Sequence, residues 1–148
     1  MAGFYMDDLT VGQVFESGTI TVTPEAIKDF AAEFDPQPFH MDEDAAKGSF
    51  FAGLAASGWH TAAMTMRLLV DTLRIEGGLI GASMDELAWP KPVRPGDRLR
   101  ITVEVLELRP SKSRPERGMG KTRTTTFNQA GEVVQILVTN VVLPRKLP

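Results

Sequence analysis

The 148-residue chain has no cysteine, so neither a disulfide framework nor a thiolate metal site is open to it, and a reducing cytoplasm is the expected setting. It has no stretch of about eighteen consecutive apolar residues and no basic region followed by an apolar run at the amino terminus. A membrane span and a secretory leader are therefore not expected. A net positive charge is absent as well: sixteen Lys and Arg against nineteen Asp and Glu give −3 and a pI near 5.4, which argues against a general nucleic-acid binder. The segment from Arg109 to Arg123 is locally basic, a hint of a small anionic ligand. Imidazole is rare too, with two histidines, His40 and His60. There is no long polar linker, repeat or low-complexity segment, and the length suits one domain over residues 1–148.

What is present concentrates between Asp35 and Gly58. In Asp35-Pro36-Gln37-Pro38-Phe39-His40 the two prolines fix two φ angles, remove two backbone donors and push the preceding residues out of helical geometry. Asp35 and His40 are thus expected on a stiff, non-helical loop that aims both side chains at one water. Ser57-Gly58 opens a long apolar segment, and the free amides of that helix start would face the same point. This is the outline of an acid/base site with an oxyanion hole.

Val14 to Val22 reads as a strand. Thr23-Pro24-Glu25 is a helix start, with a capping hydroxyl, proline at the first helical position and an acid in the first turn. Ile27, Phe30, Ala31 and Phe34 then share one face of a helix that ends before Pro36. Asp42 can cap one further turn through Ala46, and Lys47 to Ala52 reads as a surface connection in which Phe50 and Phe51 suggest partial cover. From Ser57 to Arg74 apolar residues occupy more than one face, as for a helix packed in a concave sheet, and Gly77-Gly78 is expected to stop it. Leu99-Ile101-Val103-Val105 alternates with Arg100-Thr102-Glu104, residues 121 to 127 alternate Lys/Arg with Thr, and Val133 to Leu143 is almost continuously apolar. Arg94 to Asp97 and Asn128 to Glu132 supply turns. The sum is an α+β domain, an antiparallel sheet around a long central helix. The β-branched edge from Val133 to Leu143 favours a homodimer that continues the sheet.

Asp35, Pro38, His40 and Asp42, followed by Ser57-Gly58, by Pro92-Val93-Arg94-Pro95-Gly96-Asp97-Arg98-Leu99 and by the Asn128 to Glu132 turn, resemble the MaoC-like hotdog-fold dehydratases, which include the R-specific enoyl-CoA hydratases. The resemblance spans roughly residues 8 to 143. It implies a hotdog fold and an acyl-CoA thioester as the small-molecule substrate, with hydration of trans-2-enoyl-CoA to (R)-3-hydroxyacyl-CoA or the reverse. It implies Asp35 and His40 as the acid-base pair and the Gly58 amide as oxyanion donor, with no cofactor. Ser57, Pro38, Phe39 and His60 are the expected substrate neighbours. Arg114 and Arg117 are expected at the phosphates of coenzyme A. Ser57 and Met66 stand where the hydratase branch often has His and Ser, so a hydroxyl helper would be Ser57, Thr61 or Thr65.

Plainer readings stand beside these. Asp35 could bond local amides at a helix end, Asp42 reads as a cap, His60 as a core or pocket-wall hydrogen-bonder, and Arg109 to Arg117 as a solvated hairpin tip. His40, Asp42, Asp44 and His60 lack the spacing of a defined metal ligand set. Two other functions share the expected fold. A hotdog thioesterase would place its carboxylate on the long helix, where Asp71 is available, and an acyl-CoA binding module would need no acid-base pair.

Overall fold

The computed structural model describes residues 2–147. In chain order the elements are β1 (Val14–Glu16), β2 (Ile20–Thr21), α1 (Pro24–Phe34), α2 (Pro38–Met41), α3 (Glu43–Lys47), α4 (Gly58–Thr72), β3 (Ile80–Ala88), β4 (Arg98–Pro110), β5 (Arg117–Phe127) and β6 (Val133–Pro144). The strands form one antiparallel sheet in the order β1-β4-β5-β6-β3, and β2 also pairs with β4. With α4 lying on the sheet, this is the α+β hotdog arrangement.

The expected strand from Val14 to Val22 is interrupted at Ser17-Gly18-Thr19. Both halves still run along β4, and Ser17 spans the gap: its N–H donates to the Ile101 carbonyl and its Oγ accepts from the Ile101 amide at 2.8 Å. A side-chain acceptor replaces the missing ladder bond, so the break leaves no buried donor unpaired.

α1 starts as its sequence prescribes, with Thr23 Oγ1 accepting from the Ala26 amide at 3.1 Å and Pro24 at the first position. Ile27 and Ala31 are buried, whereas Phe34 at the last turn is exposed. In β4 the residues Leu99, Ile101, Val103 and Val105 point inward, as the alternation predicts. Each such side chain contributes about 1.5–3 kcal/mol when taken fully out of water. Met64, Leu68 and Leu69 of α4 join them in the core. The opposite face of α4 stays open in the single chain: Trp59, Ala63, Met66 and Val70, at i, i+4, i+7 and i+11, are exposed.

Three expectations are corrected here. The helix ends at Thr72, where the Leu73 amide still reaches the Leu69 carbonyl, and Gly77 and Gly78 with φ of 77° and 108° turn the chain into β3 instead of capping α4. Phe50 is almost fully exposed, so of the two rings in that connection only Phe51 is partly covered. The Val133 to Leu143 segment is not an edge: β6 lies between β5 and β3, because β3 returns from α4 and pairs along it from Ile80↔Val142 to Ala88↔Ile136. β3 forms one edge of the sheet, and the short strands β1 and β2 lie at the other.

The two predicted turns meet at one end of the sheet. Asp97 accepts from the Arg94 amide at 2.8 Å and from Gln129 Nε2 at 3.0 Å, and Gln129 Oε1 accepts from the Arg98 amide. A buried carboxylate with two donors ties the β3–β4 connection to the β5–β6 turn.

Candidate active site

Asp35 caps the end of α1. Its amide donates to the Ala31 carbonyl, and Pro36, with no amide of its own, prevents another turn. His40 does not sit on the stiff, non-helical loop that the sequence suggested. It belongs to the one-turn helix α2, whose first residue is Pro38. A proline at the first helical position has its φ already set and lacks an amide that would have gone unpaired, so here it starts a turn.

That turn places the His40 ring, 4% exposed, against the α3–α4 connection. Nδ1 donates to the Ala55 carbonyl at 2.6 Å, which directs Nε2 toward Asp35 Oδ2 at 3.4 Å. In the neutral ring the proton is therefore on Nδ1 and the lone pair on Nε2. The 3.4 Å separation exceeds a direct hydrogen bond, so one water could contact both groups. Phe39 packs edge-on to His40 at 4.6 Å between ring centroids and also touches Phe51, holding the imidazole from behind.

Ser57 has two tasks. As the cap of α4 its Oγ accepts from the Trp59 amide at 3.2 Å, and the same hydroxyl donates to Asp35 Oδ2 at 2.7 Å. Gln37 Nε2 donates to Oδ1. Burial pushes the Asp35 carboxyl up, but the bonds from Ser57 and Gln37, together with His40, outweigh it and hold the group below the usual carboxylate range. Asp35 is an acceptor at neutral pH. In the first turn of α4 the Trp59 amide is used by Ser57 Oγ, while helix geometry leaves Gly58 N–H without an intrahelical acceptor.

These groups open onto a cavity of about 480 Å³. Asp35, His40 and Thr61 form its polar side, Phe50 and Phe51 one rim, Gly58 and Ala56 the helix start, and Trp59, Trp89, Pro90, Pro92 and Val93 the apolar side, with Lys91 beside them paired to Glu132.

Of the residues singled out in the sequence, Asp35, His40 and Gly58 line the cavity, and Ser57 stands directly behind as a donor to Asp35. Pro38 and Phe39 shape and support α2 and do not line it. His60 turns away: its ring stacks on Phe30 at 4.8 Å and 9°, its Nδ1 is buried without a partner, and burial lowers its pKa. Asp42 caps α3 by accepting from the Asp44 and Ala45 amides. Arg114 and Arg117 are exposed at the β4–β5 turn, where Arg117 pairs with Pro144, while the site lies at the other end of the sheet, beyond Ala88 and Ile136. Thr65 is buried against Thr126 and does not reach the cavity. Asp71 lies in the last turn of α4, paired with Arg67 at 3.1 Å.

Three contributors escaped the sequence reading. Arg94 donates to the carbonyls of Phe51, Gly53 and Leu54, fixing the loop that carries Phe51, and within that loop Ala52 adopts φ of 54°. Trp89 lies on Gly58, its indole within 2.6 Å of where a Cβ would stand. Gln135, fully buried on β6, accepts from Trp89 Nε1 at 2.9 Å. An aromatic residue ahead of Pro90 and Pro92, and a glutamine inside an apolar run, were the available signals.

Comparison with known proteins agrees with this geometry. The family model described as MaoC like domain matches residues 8–127. A Bacillus subtilis (strain 168) protein described as uncharacterized protein YdeM is 37% identical over 125 residues, covering 84% of this chain and 87% of its own. The crystal structure of a MaoC-like dehydratase from Rhodospirillum rubrum superposes with a TM-score of 0.95 at 54% identity, covering 99% of this chain and all of that one. The R-hydratase PhaJ1 from Pseudomonas aeruginosa, unliganded, superposes with a TM-score of 0.77 at 29% identity, over 97% of this chain and 88% of that one. The chain belongs to the MaoC-like domain family, and the family together with these neighbours supports a hydratase or dehydratase.

Proposed function

We propose that this MaoC-like protein adds water to trans-2-enoyl thioesters of coenzyme A, giving (R)-3-hydroxyacyl-CoA, and catalyses the reverse dehydration. The observation that carries the reading is the junction of Asp35, His40 and the Ser57-Gly58 helix start on one cavity. Water bound between Asp35 and His40 Nε2 is deprotonated as its oxygen bonds to C3. The C2–C3 π electrons move toward the thioester oxygen, where the Gly58 amide meets the developing charge. The enolate then takes at C2 the proton that the acid-base pair removed from the water, which returns the pair to its starting state with water added across the double bond. His40 Nε2 suits the base role, since the Nδ1 proton is committed to the Ala55 carbonyl and the imidazolium formed would face the Asp35 carboxylate. No redox or metal group is needed for these steps. Cytoplasmic action fits the cysteine-free sequence.

A thioesterase reading is weakened by Asp71, the one carboxylate of the long helix α4, which lies outside the cavity. Incubation with crotonyl-CoA, following enoyl absorbance alongside a thiol reagent, separates the readings. Loss of absorbance without free thiol is expected; thiol release would replace the assignment by a thioesterase, and neither signal would leave a binding module.

The active form is a homodimer in this reading. The free β3 edge and the exposed Trp59, Ala63, Met66 and Val70 stripe of α4 together give a second copy both hydrogen-bonding and apolar surface. Light scattering should report about twice 16.2 kDa; an active monomer at low micromolar concentration would remove this part of the proposal.

A further inference from the structure

We propose that Trp89 is a specificity-determining residue that limits the acyl group to short chains, an inference that rests on the acyl-thioester reading above. A thioester with its carbonyl oxygen at the Gly58 amide has the indole as its immediate neighbour, because the ring atoms of Trp89 lie 2.6 to 2.9 Å from the Cβ position of Gly58. C3 of the same substrate must reach the water between Asp35 and His40. These two demands fix the first three carbons. The remaining chain has to find depth along the apolar side of the cavity, where Trp89 stands between the reacting carbons and the gap between helix and sheet.

That placement is built, not incidental. Trp89 Nε1 donates to Gln135 Oε1 at 2.9 Å, Gln135 Nε2 donates to Thr65 Oγ1 at 3.0 Å, and Thr65 Oγ1 bonds Thr126 Oγ1 at 2.7 Å. Gln135, Thr65 and Thr126 are all fully buried, and they come from β6, α4 and β5. The chain of hydrogen bonds thus crosses from the cavity wall into the gap between helix and sheet. An alkyl chain entering that gap would have to separate these groups and leave buried donors and acceptors unpaired. On its other side the indole meets Trp59 edge-on at 5.6 Å. Trp89 is the wall, and Gln135 is the positioning residue that holds it.

The test compares kcat/KM for crotonyl-CoA and trans-2-octenoyl-CoA in the wild type, Trp89→Ala, Trp89→Phe and Gln135→Leu. Calorimetric binding of butyryl-CoA and octanoyl-CoA, which have no double bond to hydrate, is measured in parallel. The wild type should favour the four-carbon ligands in both assays. Trp89→Ala should raise the octenoyl-to-crotonyl ratio by about tenfold or more, the scale of a change in a hydrophobic acyl pocket. Trp89→Phe, which keeps a ring and serves if the alanine variant folds poorly, should move it less. Gln135→Leu should shift it in the same direction through a released indole. Equal losses on both chain lengths in the two Trp89 variants, or a wild type that binds octanoyl-CoA as tightly as butyryl-CoA, would overturn the inference. Length selection in binding with no hydration of either enoyl-CoA would instead support Trp89 as the gauge and defeat the hydratase reading.

Discussion

Two segments of this chain carry charge in sequence patterns that suggest a site, and the fold treats them in opposite ways. Around Asp35 the charge is drawn inward, given donors from Ser57 and Gln37 and an imidazole at 3.4 Å, and set beside a cavity. At the β4–β5 turn, Lys112, Arg114 and Arg117 remain in solvent. A charge removed from water must be satisfied by fixed partners, and that fixing makes a group able to act in a defined direction. A charge left in water keeps its hydration and its rotamers, and its contribution is weak and screened.

The sharpest test removes the inward charge. Asp35→Asn and His40→Ala should each lower turnover of crotonyl-CoA by about 10²–10⁴ with circular dichroism unchanged. Near wild-type rates in both would show that the buried pair is structural, and the contrast with the hairpin would disappear.

Next in size is Gly58→Val. The added side chain meets the Trp89 indole, so the substitution is an overpacking change costing about 1–3 kcal/mol, in addition to any effect on the amide donor. The melting temperature should drop, and Trp89→Ala in the same chain should restore part of it. Unchanged melting together with lost activity would assign Gly58 to catalysis alone.

Ser57→Ala removes a helix cap, worth about 0.5–2 kcal/mol. It also removes one of the bonds that hold Asp35 down, so the Asp35 pKa rises and the acid limb of the kcat/KM profile moves to higher pH. An unmoved limb would detach Asp35 from that limb. In the parent, the lowered Asp35 pKa means a contribution to stability present above the unfolded value and lost as pH falls through the folded one. His60 acts in the same sense: its folded pKa is lowered by burial, so the unfolded state takes up protons first and stability declines as pH falls below about 6.5. His60→Phe should flatten the melting temperature between pH 7.5 and 5.5 relative to the parent.

The smallest effect is expected at the hairpin. Arg114→Ala with Arg117→Ala should change stability by no more than about 0.5 kcal/mol and leave kcat unaltered. A large rise in KM for the CoA ester would show that the tip of one copy reaches the site of another, and would make the outward charge functional after all.

Much of the site was legible because it depends on local chemistry. Asp35 just past a helix end and Ser57-Gly58 at the start of the long helix follow from proline and glycine rules that act over a few residues, whereas the capping role of the Ser57 hydroxyl came from the structure. The same locality misled at His40, since Pro36 and Pro38 have opposite consequences. The first ends α1 and the second begins α2, and the choice depends on whether the following residues find tertiary support. For α2 that support is the Ala55 carbonyl, fifteen residues away from His40.

By itself, then, the sequence determined the alternation that buries Leu99 to Val105, the capped start of α1, the two turns at one end of the sheet, and the acid, imidazole and helix start of the site, because each depends on residue type and short spacing. Tertiary structure alone decided that β3 rather than β6 forms an edge of the sheet, that the basic hairpin lies at the far end from Asp35, and that Trp89, Gln135 and Arg94 shape the cavity. Those outcomes rest on contacts between residues about forty or more positions apart. Strand order and side-chain shape, which no local pattern encodes, determine which of them meet.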